Sequence, residues 1–271
     1  MEHPRYWECK RVHCGNRWRQ LKKTTLMENR IIKDIRYYEN KPENYSGKYD
    51  GILGNVYRNS PDTKYIGQRI ARKLNEFGFI SGIFDHIYIN LSSSLNNNDI
   101  SESDKFLDKR IKYFNYGLKP SSFNELTEEE REKKIKQITF KVLNWIYKND
   151  IERIQLIEDV KSLTAKFDKH LTIKYKRKET SKYTIDLSFQ IQPENDKSKL
   201  IVEYTNKNDN SKLQEFLNIL DYEDLYSLID KMTVKDGLII FQSKKSYHAE
   251  LVAKKYIDFQ KKITIDKMSK K

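Results

Sequence analysis

LTIKYK (171–176), YTIDLSFQI (183–191) and KLIVEYT (199–205) are the stretches whose reading decides the fold. In the middle one Tyr183, Ile185, Leu187, Phe189 and Ile191 recur at every second position, the period of a strand with one buried face. The polar linkers between the three stretches are too short for a crossover. They predict antiparallel neighbours, a three-stranded meander over 171–205.

Upstream, Thr127-Glu128-Glu129-Glu130 has the form of a capping box, in which the Thr hydroxyl and the third Glu satisfy each other's exposed amides. It opens a helix with Ile135, Ile138, Val142, Trp145 and Ile146 on one face, and a second helix follows over 151–167 with Ile154, Ile157, Val160 and Leu163 inward. An earlier helix is capped by Asp62 or Thr63, repeats Ile66, Ile70, Leu74 and Phe77, and stops at Gly78. FDHIYINL (84–91) alternates as a half-buried strand, and RIKYFNYG (110–117) reads as its antiparallel partner across the polar loop SSSLNNND. Ile31 to Tyr38 reads as a first strand and residues 40–62 as turns.

Downstream of the meander, helical patterns are expected at 211–220 and 222–232, then a strand GLIIFQ (237–242), a helix from Ser246 to about Tyr256, and a basic tail. Strands and helices are segregated rather than alternating, which defines the class as α+β with antiparallel sheets and separate helices. A boundary is expected near Lys148-Asn149-Asp150, dividing an αββα unit (27–150) from a C-terminal unit (151–271) that carries the meander and the tail, or else joining both in one domain.

The stretch FDHIYINLSSSL followed by YFNYGLKPSSFNELTEEEREKKI, within about residues 60–150, resembles uncharacterised bacterial proteins of the immunity type, encoded beside toxins or in defence loci. That resemblance implies a non-enzymatic protein that neutralises a partner by contact. It carries over no functional residue.

The net charge of +13 is concentrated at the ends: residues 1–24 hold seven Lys and Arg against two acids, and 254–271 seven against two. The body between is nearly balanced, so a nucleic-acid partner is not favoured. In the tail Ile257, Phe259, Ile263 and Ile265 interleave the lysines, the pattern of an edge strand guarded by charge. No apolar run is long enough to span a bilayer and no signal-type leader is visible, so a cytoplasmic protein without a membrane partner is expected.

Both cysteines, Cys9 and Cys14, lie in MEHPRYWECKRVHC with His3 and His13. These are zinc-type ligands, but crowding into twelve residues does not suit two ligand pairs held apart by a loop. Residues 1–26 read instead as a disordered leader or an over-extended start, with Met27 as the natural beginning.

Among carboxylates, Asp186 and Glu203 fall on the same side of the meander, opposite its apolar face, and with Mg²⁺ or Mn²⁺ would suit a nuclease of the PD-(D/E)xK type. Asp236 with Gln242 and Lys244 is a second form of that alternative. Asp85 and His86, adjacent on one strand, are expected to point apart. The chain has 9 Gly and no Gly-x-Gly-x-x-Gly, P-loop or Gly-x-Ser-x-Gly motif. The leading expectation is therefore an intracellular protein-binding factor without a cofactor, contacting a partner protein through an exposed aromatic surface of Tyr37, Tyr38, Tyr113 and Tyr116.

Overall fold

The computed structural model describes residues 29–39, 51–105, 107–193, 196–256 and 259–271. The leader at 1–26, its candidate ligands His3, Cys9, His13 and Cys14, the start at Met27, and Ile257 all lie outside them.

The chain begins with β1 (Arg30–Ile31), β2 (Asp34–Glu39) and β3 (Gly51–Ile52), followed by helix α1 (Thr63–Glu76). Next come β4 (Ile80–Gly82), β5 (His86–Ser92), β6 (Ile100–Glu102) and β7 (Ile111–Gly117). β1 pairs with β4, and the remaining strands form a sheet of order β3-β2-β5-β7-β6. β2, β5 and β7 are mutually parallel. The expected antiparallel pairing of β5 with β7 is thus corrected: the polar loop is not a simple hairpin, because β6 inside it turns back antiparallel to β7 and the chain re-enters in the direction of β5. A strand central to a parallel sheet is covered on both faces. β5 is accordingly buried at nearly every residue, not half-buried.

The crossover from β2 to β5 is α1, and Gly67 lets it approach the sheet closely: a Cβ there would stand 2.2 Å from the Ile35 carbonyl oxygen. Helices α2 (Pro120–Asn124), α3 (Glu128–Ile146) and α4 (Ile151–Phe167) complete this half. The Thr127–Glu130 capping box is formed as read, and α4 has the expected limits.

The meander is present as β8 (Thr172–Glu179), β9 (Tyr183–Gln190) and β10 (Ser198–Asn206), antiparallel throughout. It is extended by β11 (Lys212–Ile219), where a helix was expected. Leu213, Phe216, Leu217 and Leu220 mimic a helical repeat, but the turn Asn206–Ser211, closed by an N–H···O bond of 3.0 Å, folds the segment back along β10 as a hairpin. The pattern expected at 222–232 reduces to a 3₁₀ turn and the single-turn helix α5 (Leu225–Leu228).

β12 (Lys231–Lys235) and β13 (Leu238–Gln242) then form a hairpin, α6 (Tyr247–Lys255) starts at its Ser246 cap, and β14 (Lys262–Thr264) adds to β13 as an edge strand; of the residues expected to interleave there it holds Ile263, while Phe259 precedes it and Ile265 begins a 3₁₀ turn after it. β15 (Ser269–Lys270) returns to β11. The fold is α+β, with several antiparallel sheets and separate helices.

Two apolar cores result. The first holds Ile35, Ile70, Ile89, Phe114, Ile138 and Val160; the second holds Ile185, Phe189, Val202, Ile219, Ile239 and Ile263. α4 belongs to the first, so the changeover falls after α4, beyond the turn at Lys148–Asp150. α1 serves both: Ile66, Ile70 and Leu74 enter the first core, while Tyr65 packs on the second and Arg69, only 1% exposed, donates to the Ile191 carbonyl at 3.0 Å. Arg69 also forms a buried ion pair with Asp62. Asp62 sits at the N-cap position but makes no capping bond; its carboxylate is given to Arg69 instead.

Candidate functional site

The tyrosines expected to form an exposed contact surface are not exposed. Tyr37, Tyr113 and Tyr116 are buried and Tyr38 is half-buried: Tyr37 and Tyr116 enter the first apolar core, and Tyr113 packs against Tyr38 and Tyr88. Tyr37 shares a hydrogen bond of 2.7 Å with Thr139 on α3, and the Tyr116 hydroxyl donates to Asn98 at 2.7 Å. On the opposite side of the sheet Tyr38 lies 5.0 Å from Tyr88, which meets Tyr113 edge-on at 5.2 Å, and the Arg36 guanidinium stands 5.6 Å over the Tyr88 ring. Burial pushes the Tyr88 hydroxyl up to about 12. This face is a packed aromatic layer.

Asp85 and His86 are also corrected. Asp85 precedes the first residue of β5, so strand alternation does not govern it, and its Oδ1 meets His86 Nδ1 at 2.5 Å while Lys33 donates to Oδ2 at 2.8 Å. Burial would raise the Asp85 carboxyl; the bonds from Lys33 and His86 outweigh it and hold the group below the usual carboxylate range.

Asp186 and Glu203 are direct cross-strand partners on β9 and β10, on one face as the sequence parity indicates. Each carboxylate meets a cation: Arg177 lies 3.4 Å from Asp186, and Lys271 pairs with Glu203. Asp236 does not join Gln242 and Lys244. With Gly237 it makes the left-handed turn of the β12–β13 hairpin (φ 50° and 72°), the geometry that favours Asp-Gly, while Gln242 ends β13. About 20 Å of strand separates them. Among the described residues no group of three His, Cys, Asp or Glu side chains is gathered to hold a metal ion.

A different site emerges at the edge of the five-stranded sheet, whose order is β15-β11-β10-β9-β8. β15 covers β11 only at Leu213 and Gln214. Beyond that, a groove of about 410 Å³ runs beside the strand, lined by Lys197, Phe216, Leu220, Lys255, Tyr256 and Phe259 among others. Phe216 is 53% exposed and Leu220 54%; single apolar residues elsewhere, such as Ile151, are more exposed, but these two share one groove.

The far wall is fixed by Tyr256, whose hydroxyl accepts from the Leu220 and Asp221 amides at 2.9 and 3.2 Å and donates to Asp224 at 2.8 Å. Burial, with the Asp224 carboxylate beside it, raises the Tyr256 hydroxyl well above its ordinary value, so it stays neutral. None of the β11 residues was singled out from sequence, since 211–220 reads as a helix, and Phe259 was read only as part of the tail. The signal that would have found them is NKNDNS (206–211), a turn-forming run that demands a strand after β10.

No family model, curated protein or solved structure matches this chain.

Proposed function

We propose that the chain is a non-enzymatic protein-binding factor, of the immunity kind that neutralises a partner by contact, and that the partner is held at the groove beside β11. One observation carries this reading: two large apolar side chains, Phe216 and Leu220, stand more than half exposed in a groove bordered by Lys197 and Lys255. A fully buried side chain of this size contributes about 1.5–3 kcal/mol, so completing the burial of both contributes on the order of 2–3 kcal/mol to a complex. Aromatic and aliphatic anchors inside a polar rim are the usual anatomy of a binding site.

Lysine-directed cross-linking in the producing cell tests it. The expected result is that Lys197 and Lys255 cross-link to one partner protein, and that Phe216→Ser with Leu220→Ser removes those cross-links while the thermal midpoint is kept. Cross-links that survive the double substitution refute the assignment.

A second reading, a metal-dependent nuclease, is favoured by one fact, the cross-strand adjacency of Asp186 and Glu203 on an open face. It requires Mg²⁺ or Mn²⁺ to displace Arg177 and Lys271 from the two carboxylates.

A further inference from the structure

We infer that the partner enters this groove as an extended segment that adds, antiparallel, to the open edge of β11, an inference that rests on reading the chain as a protein-binding factor.

The edge itself is the first argument. Lys212 accepts from the Lys271 amide through its outward carbonyl, at 3.1 Å. Backbone groups of a strand alternate in direction, so Gln214, Phe216 and Asn218 also present their N–H and C=O away from β10. Gln214 is matched by β15 and the Leu220 N–H by Tyr256. Between those two ends, over Glu215–Ile219, no described strand pairs with the outer edge of β11, and among the described residues the Phe216 N–H is met by the neighbouring Glu215 carboxylate at 3.2 Å. Five residues give about 17 Å of template, enough for a short extended segment.

The two edges of the sheet differ. β8, at the other edge, reads TIKYKRKE, with Lys174, Lys176, Arg177 and Lys178 along it. Charged residues of this kind block edge-to-edge pairing. β11 beyond Lys212 reads LQEFLNI, with Glu215 as its one charged residue and no Lys or Arg.

Charge selects the occupant. Lys197 immediately precedes Ser198, the partner of Ile219, and Lys255 adjoins Tyr256, so both cations stand at the Leu220 end, while Lys212 and Lys270, which faces Leu213, stand at the other. Glu215 is turned back on the Phe216 N–H, and Asp224 is taken by the Tyr256 hydroxyl. The segment that fits is acidic at both ends and alternates apolar residues in the middle. A second copy of this chain fits less well, because it brings its own Lys255, Tyr256 and Phe259 wall to the same edge, and five paired residues fall far short of the interface a stable dimer needs.

The probe is the fluorescein-labelled peptide Asp-Asp-Val-Thr-Val-Thr-Val-Asp-Asp, titrated into the ¹⁵N-labelled full chain. It should shift the amide signals of Glu215–Leu220 and bind at least tenfold tighter than the charge-reversed Lys-Lys-Val-Thr-Val-Thr-Val-Lys-Lys. N-methylation of alternate amides on its pairing edge should cost a further tenfold or more. Asn218→Pro removes an outward N–H at a sheet edge, where proline is tolerated, and should weaken binding at least tenfold with the fold retained. No binding, shifts elsewhere, or indifference to N-methylation overturns strand addition. So does self-association abolished by Asn218→Pro, which would make a second copy the occupant. If strand addition fails while the Lys197 and Lys255 cross-links persist, the groove remains the binding site and only the docking mode falls.

Discussion

Arg69 is the most informative single residue to remove. Its guanidinium and the Asp62 carboxylate are each about 1% exposed, they pair with one another, and Asp62 Oδ1 has no further partner among the described residues. Arg69→Met keeps most of the side-chain volume but leaves a carboxylate buried without its cation, a change that costs about 3–5 kcal/mol. The Ile191 carbonyl also loses its donor, for about another 1 kcal/mol. At about 2–4 °C per kcal/mol for a chain near this size, the thermal midpoint should fall on the order of 10 °C. Asp62→Leu with Arg69→Met removes both charges together and should recover most of that loss, since apolar replacement of a whole buried pair is often neutral or better. Circular dichroism during thermal and urea unfolding reads all three proteins. A loss below about 1 kcal/mol for the single variant, or a double variant no better than the single, refutes the claim that this pair is a dry ionic tie between the two cores.

Asp85→Asn should cost about 1–3 kcal/mol at neutral pH, because Lys33 and His86 lose a charged acceptor. The folded-state pKa of Asp85 is depressed, so its contribution is present above the unfolded value near 3.8 and is lost as pH falls through the folded one. The stability gap between wild type and variant should therefore narrow below about pH 4 in acid titration of the unfolding free energy; a constant gap contradicts the assignment. Gly67→Ala places a Cβ 2.2 Å from the Ile35 carbonyl oxygen, so it should destabilise by about 1–3 kcal/mol in urea unfolding, although alanine is the better helix former. Purified protein with Mg²⁺ or Mn²⁺ should leave plasmid DNA and structured RNA intact over hours; cleavage abolished by Asp186→Asn would instead establish the nuclease reading.

What could be read in the sequence was what local chemistry decides. The capping box at Thr127, the limits of α4 and the alternation of Tyr183–Ile191 each depend on residues a few positions apart, and each is formed in the structure. Direction and partnership were harder. Nothing local in RIKYFNYG says whether it runs with or against β5, because the answer lies in how β6 folds the intervening loop. The tyrosines were misplaced for the same reason: with β2, β5 and β7 parallel neighbours in one sheet, Tyr37 and Tyr116 enter the core and Tyr113 packs on Tyr88, where an antiparallel hairpin would expose them. Asp85 and His86 show the limit of parity, which holds inside a strand and lapses one residue before it. The groove was invisible because Leu213, Phe216, Leu217 and Leu220 satisfy a helical period, and only pairing with β10 makes them a strand.

That misreading also bears on what β11 is for. The chain contains 52 Lys and Arg residues, yet none falls between Leu213 and Asp230. A composition so rich in lysine supplies edge guards almost everywhere, as β8 illustrates and as Lys262 on β14 repeats. An edge without lysine and with two exposed apolar residues invites aggregation unless something occupies it or limits it. Here the limits are built in: β15 closes one end at Leu213–Gln214, and Tyr256 closes the other by taking the Leu220 and Asp221 amides. What stays open is five residues long, too short to nucleate open-ended strand stacking but long enough to pair one incoming segment. Under the proposed docking, the ends of the template restrict it to a single short occupant, and the bond between Tyr256 and the β11 terminus matters as much to that docking as the exposed Phe216 ring.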